Sequence, residues 1–318
     1  MELSLPFIRV AGKAATLLVG ATLSVMPPCL VMASQSLSPP VKGKQVLDGE
    51  VSRIFLKARR LESEGDFQEA QRLYEEVISV EPTFIYSWAN LGNVLVSEGT
   101  LNQALLCYKK AISLQPPKEQ LGVILLNKAS LELSIGDPSI ATSAWHIWLQ
   151  STCCNPFRAV GDSIQALKDL DKAEKISGSS PSILTNKAVA LSNNGDWEAS
   201  CALFERVISS GDRDALPWWL RYAMSLLETS RSTEAVAYLQ RTLNRFPNEA
   251  ECKVFASALY TELGLQREAS TYWLQLSADD RELYSVQFVR DRLHWGPRAV
   301  RSYEQFLSTQ GSRTGIQL

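Results

Sequence analysis

Along residues 85–118 the apolar and small residues fall in two runs. Trp88, Leu91, Gly92 and Leu95 repeat at a spacing of three or four; Gly99 interrupts; Ala104, Tyr108 and Ala111 resume the spacing; Pro116 ends it. An apolar residue every three or four positions forms one stripe on an α-helix, so the segment predicts two amphipathic helices joined by a glycine turn. The residues occupy positions 4, 7, 8, 11, 15, 20, 24, 27 and 32 of a 34-residue unit. One unit earlier, Ile54, Ala58, Leu61, Gly65, Ala70, Tyr74 and Pro82 keep the same register from residue 51. Small residues at positions 8 and 20 let the paired helices approach, the glycine permits the turn, and the proline stops the second helix. Neither helix can bury its stripe alone, so each unit must stack on the next.

Further units start at 181 (Leu184, Ala188, Leu191, Gly195, Phe204, Val207, with Ser200 in the small-residue slot), at 216 (Trp219, Ala223, Leu226, Ala235, Leu239, Pro247) and at 250 (Ala256, Tyr260, Gly264, Ala269, Trp273, Leu276). Between them, a first helix from a unit starting at 122 (Asn127-Lys128-Ala129 through Gly136) and a second helix carrying Ala166, Leu170 and Ala173 fall into frame if about 25 residues, 138–162, are an insertion. The insertion is either a lineage-specific loop or an in-frame piece of retained intron. It carries the adjacent pair Cys153-Cys154, read as passengers, and a stripe over 138–150 that predicts a short extra helix. Residues 51–280 are thus expected to form a solenoid. Two helices follow over 281–310 as its terminal cap, 34–50 is a flexible leader, and 311–318 is a frayed tail.

At the N-terminus, Arg9 and Lys13 precede an apolar stretch over 14–26, and Val31 and Ala33 stand three residues and one residue before a cleavage point at Ser34. Residues 1–33 read as an export signal, with an uncleaved anchor as the alternative; the apolar stretch is short for a membrane span of roughly 20 residues. The full chain has 32 basic and 34 acidic residues. Removing Glu2, Arg9 and Lys13 with the signal leaves 30 and 33, a net charge of −3. No block of like charge tracks a phosphate backbone, which argues against nucleic acid. Six cysteines without a CxxC and only two histidines, His146 and His294, give no metal-ligand spacing and no nucleophile–base pair. No catalytic residue, cofactor or metal is expected.

The 34-residue pattern resembles the tetratricopeptide repeat, which implies an all-α, right-handed α-α superhelix of about six helix pairs and a non-catalytic scaffold or assembly factor. The resemblance implies that an extended protein segment lies in the concave groove lined by the first helix of each pair. Position 6 of the unit points into that groove, and there the chain carries Asn90, Asn127, Asn186 and Arg221, with Asn93 nearby. Each asparagine offers a donor and an acceptor, enough to bond a peptide backbone without reading its side chains; equally, these amides could serve only the adjacent helix. Phe55 and Val123 stand where a carboxylate clamp would need lysines, so chaperone C-terminal tails are not the expected ligand. Pentatricopeptide-type RNA binding would need a period of 35 and a basic groove; a regulatory or targeting subunit of an enzyme complex is the nearer alternative. The runs ALPWWLRYAMSLLE and YWLQLSADDRELYSVQFV are similar to plant and cyanobacterial thylakoid-associated members of the family. That similarity implies a chloroplast thylakoid lumen location, with a membrane-anchored or secreted protein as the alternative.

Overall fold

The computed structural model describes residues 36–38, 47–134, 163–210 and 218–314. The predicted signal, the insertion with Cys153 and Cys154, and residues 315–318 lie outside them. Fifteen α-helices and no strand are described. Twelve form six antiparallel pairs: α1 (Gly49–Glu64) with α2 (Phe67–Val80), α3 (Ile85–Ser97) with α4 (Leu101–Ser113), α5 (Lys118–Ser134) with α6 (Ser163–Ser177), α7 (Pro181–Asn193) with α8 (Trp197–Ser209), α9 (Trp219–Glu228) with α10 (Ser232–Arg245), and α11 (Ala250–Glu262) with α12 (Gln266–Leu274). The pairs stack into an all-α superhelix.

Local chemistry sets the boundaries. Asp66 accepts the Glu69 N–H and Asp196 the Ala199 N–H, each capping a second helix. Ser180 caps α7 immediately before Pro181, where a missing N–H costs nothing. Gly65 sits at φ 82° and closes α1 through left-handed geometry that a side chain would resist. Gly92 answers a different need, since a Cβ there would stand 2.6 Å from a Tyr108 ring carbon, so the α3–α4 crossing requires its absence.

Position 7, leucine in the second unit, is Lys128 in the third. Lys128 is buried, and its ammonium donates to Glu132 Oε1 at 2.5 Å and to Asp169 Oδ2 at 2.6 Å, so an ionic triad ties α5 to α6. Burial opposes the charge, but the two carboxylate hydrogen bonds outweigh it and hold the lysine above its ordinary pKa. Losing one partner from such a triad typically costs about 3–5 kcal/mol, because it strands buried charge. The second-helix slot of the third pair is therefore held by 163–177 through a specific polar contact as well as by Ala166, Leu170 and Ala173 in the core.

The C-terminal elements differ from the sequence reading in two respects. The stripe over 281–295 does not make one helix. It is divided between α13 (Ala278–Leu283) and α14 (Val286–Asp291), because Ser285 starts a new helix by accepting the Phe288 N–H, just as Ser277 and Asp280 form a capping box on α13. The last helix, α15 (Pro297–Thr314), continues past residue 310. It packs on α11 and α9, both first helices, so it lies along the wall that would line the concave groove. Tyr303 and Phe306 also meet the Trp273 ring of α12, at 6.2 and 5.5 Å between centroids, which covers the end of the stack.

Candidate peptide groove

Three residues of the leader, Ser36–Ser38, are described, and they lie against α3. Asn90 Oδ1 accepts the Leu37 N–H at 2.8 Å, and Asn90 Nδ2 donates to the Leu37 carbonyl at 3.0 Å. One side-chain amide thus pairs with both polar groups of one backbone residue, as a neighbouring β-strand would. Asn90 is fully buried under this contact, and Leu37 is 6% exposed within the N-terminal core cluster that includes Phe55, Tyr86 and Leu91. Ser36 and Ser38 on either side are exposed. The Ser36 hydroxyl donates to Glu62 Oε1, whose second oxygen accepts the Tyr74 hydroxyl at 2.6 Å. Burial and the Glu62 charge push the Tyr74 phenol far above its ordinary pKa, so it stays a donor.

The energetics of this contact nearly balance. Burying a leucine contributes about 1.5–3 kcal/mol, and two net hydrogen bonds about 1–3 kcal/mol together. Ordering three backbone residues costs about 3–6 kcal/mol. The segment is held, but by little.

The other residues at position 6 have different partners. Asn127 Nδ2 donates to Asn93 Oδ1 at 3.0 Å, the same oxygen that accepts the Tyr108 hydroxyl at 2.7 Å. Asn93 and Asn127 thus form a buried polar link between the first helices of units two and three. Asn186 donates to the Ser182 carbonyl of its own helix at 3.0 Å. Arg221 donates to the Leu293 carbonyl at 2.6 Å, in the turn that leads into α15. Of the five residues read as a groove set, Asn90 touches the backbone of the leader, Asn93 and Asn127 touch each other, and Asn186 and Arg221 engage carbonyls within the fold.

Around Arg221 the wall is covered by the chain itself. Trp295 stacks edge-on against Phe255 at 5.4 Å and donates its indole N–H to Glu251. The first turn of α15 presents the backbone N–H groups of Arg298 and Ala299 to the Glu228 carboxylate, at 3.1 and 2.8 Å. Such a helix start favours an anion. Burial nevertheless outweighs those hydrogen bonds and leaves Glu228 above the ordinary carboxylate range. Arg298 reaches Glu262 at 2.7 Å. Sequence reasoning assigned α15 to the end of the stack and missed this coverage. Its apolar face, with Val300, Tyr303 and Phe306, was visible, but not the surface it would seek.

Among the described residues no cluster of histidine, cysteine or acidic groups is arranged to hold a metal ion. Cys107, Cys201 and Cys252 are buried free thiols; desolvation pushes the first two up to about 11 and the third well above its ordinary value, so none is a ready nucleophile. No described helix is long and apolar enough to cross a membrane.

Two segments match models of the tetratricopeptide repeat: residues 85–118 and residues 185–250. No curated protein matches the chain. Among solved structures it is similar to PilW, described as a widely conserved type IV pilus biogenesis factor, at 13% identity and TM-score 0.55, covering 75% of this chain and all of that one. It is also similar to the Cut9–Hcn1 hetero-tetramer structure of the APC/C, at 15% identity and TM-score 0.53, covering 81% of this chain and 46% of that one. At such identities the likeness concerns the fold, which is the α-α superhelix of a tetratricopeptide repeat array.

Proposed function

We propose that this chain is a non-catalytic protein–protein scaffold or assembly factor that holds an extended segment of a partner along the first-helix wall of its N-terminal units. The observation that carries the reading is the pairing of Asn90 with both backbone groups of Leu37, which is how such a wall would grip any extended chain. A wall that bonds backbone takes many sequences, and selection falls to the apolar pocket beside it. The last two first helices, α9 and α11, are covered by α15, and among the described residues the stretch left for a partner lies along α3, α5 and α7. We further propose the chloroplast thylakoid lumen as its location, on the export-signal pattern of residues 1–33; the intact mass of chain isolated from thylakoid lumen should correspond to a start at Ser34.

The scaffold reading is tested by panning a displayed library of extended peptides on the immobilised full chain. A consensus with an aliphatic residue should emerge. Asn90→Ala should weaken its binding by up to about 30-fold, the equivalent of two hydrogen bonds of about 1 kcal/mol each, at an unchanged melting temperature. Absence of enrichment, or equal binding by the variant, would overturn it.

A further inference from the structure

The segment that shows how Asn90 grips backbone belongs to the chain itself. It lies 53 residues upstream of Asn90, and eight residues, 39–46, separate it from the residue preceding α1's N-cap. Two of its residues contact the wall in three ways: the Leu37 backbone with the Asn90 amide, the Leu37 side chain with the apolar cluster, and the Ser36 hydroxyl with Glu62. We infer that Ser36–Ser38 is a resident ligand of the groove, one that a partner must displace. The inference rests on the reading that the wall binds extended segments, and it adds what those segments must carry: a hydroxyl-bearing residue directly before a leucine-sized aliphatic one, with a free N–H and carbonyl at the latter.

The chemistry selects that pattern from both sides. Glu62 holds the Tyr74 hydroxyl with one oxygen and needs a donor, not another anion, at the other. An acidic residue in the Ser36 place would therefore be repelled. Asn90 is complementary to an unbranched peptide link and would lose its acceptor's partner if proline, which has no N–H, stood in the Leu37 place. Pro39 and Pro40 follow two residues later, beyond the paired residue, where they leave the Leu37 N–H free to donate. Because the segment is tethered, it competes at an effective concentration far above that of a free peptide, although its own grip is weak. The groove is thereby screened against weak partners and open to better ones.

The test uses the full chain and a fluorescent peptide of its own residues 34–40, SQSLSPP, followed by anisotropy. Leu37→Asp removes the resident ligand without altering the wall, and should tighten binding of the added peptide by about fivefold relative to the unaltered chain. Asn90→Ala should weaken it by about 30-fold in the Leu37→Asp background and by about sevenfold in the unaltered chain, where the resident segment loses the same grip and competes less. Equal affinities for the unaltered and Leu37→Asp chains, both still dependent on Asn90, would overturn the resident-ligand inference and leave the scaffold reading standing. Binding indifferent to Asn90 would overturn both. If Leu37→Asp disturbs folding, hydrogen exchange decides in the unaltered chain: the Leu37 amide should be protected, and Asn90→Ala should release it. An unprotected Leu37 amide would end the inference.

Discussion

At the N-terminal end of the first-helix wall the chain places three residues, one of whose side chains is buried; at the C-terminal end it places an 18-residue helix whose Tyr303 and Phe306 rings meet Trp273 and Trp295. Leu37 is fixed mainly by one amide and one apolar side chain. Trp295, just before α15, and Tyr303 and Phe306 on it are buried, and the helix is tied by Glu228 and Glu262 to the ends of α9 and α11. Coverage by a helix adds buried rings and carboxylate ties to the backbone hydrogen bonds the helix makes for itself. Coverage by three residues barely offsets its ordering cost. The same wall is therefore permanently closed at one end and exchangeably closed at the other, and the size of the covering element decides which.

The comparison breaks first at Trp295. Trp295→Ala removes a ring that packs on Phe255 and Tyr303 and should lower stability by about 3–5 kcal/mol in a urea melt, with loss of cooperativity in the C-terminal half. Leu37→Ala, at the other end, should cost under about 1 kcal/mol, because the near-balance of its contacts leaves little to lose. Similar losses for the two would mean that both coverings are integral parts of the fold, and the contrast would collapse.

Much of this molecule was legible because a 34-residue period is a long-range signal carried by short-range spacing. Gly92 is small because Tyr108 lies on it, and Ala104 and Ala111 share that interface; such constraints recur in every unit and reinforce one another. The capacity of Asn90 to bond backbone was visible as one of two uses for an amide at that place, the other being the bond within the fold that Asn127 and Asn186 make. Its occupant was not. Leu37 lies among serines and prolines, and a single apolar residue has no period. Arg221 shows the same limit, since it stands at the same place in its unit as Asn90 yet meets the Leu293 carbonyl, 72 residues away. Lys128 was noticed at a leucine position, but its carboxylate partner Asp169 lies beyond the insertion, where spacing gives no distance.

A subtler difference between the two ends is charge held within the wall. Glu249, at the start of α11, is partly buried beside Glu251, and burial together with that neighbouring charge pushes its carboxyl up to about 7, against a smaller opposing pull from Lys253. Its unfolded value is about 4.3. The folded chain therefore binds this proton more tightly than the unfolded chain, so stability falls as pH rises from about 4.3 to about 7 and stays lower above that. Glu249→Gln should remove the penalty. The expected gain is on the order of 2 kcal/mol at pH 8, after discounting for partial exposure, and close to none at pH 4. Paired thermal melts across that range check it; a gain independent of pH would show that the carboxyl does not titrate in this window.

The smallest effect separates backbone strain from the C-terminal tie at a single residue. Where the first, second, fourth and sixth units turn on a glycine, the fifth turns on Ser230, which holds φ at 65° between α9 and α10. A side chain in left-handed geometry costs about 1 kcal/mol. Its hydroxyl compensates by accepting from Arg298 Nη1 at 2.7 Å, which joins the turn to α15, a contact at the exposed surface worth about 0.5 kcal/mol. Ser230→Ala keeps the strain and loses the tie, so it should destabilise by about 0.5 kcal/mol. Ser230→Gly loses both and should come out about 0.5 kcal/mol more stable than the unaltered chain, a difference of about 1 kcal/mol between the two variants. Urea denaturation resolves that difference. Equal destabilisation by both would assign the serine wholly to its bond with Arg298, and would make the fifth turn part of the covering at the C-terminal end.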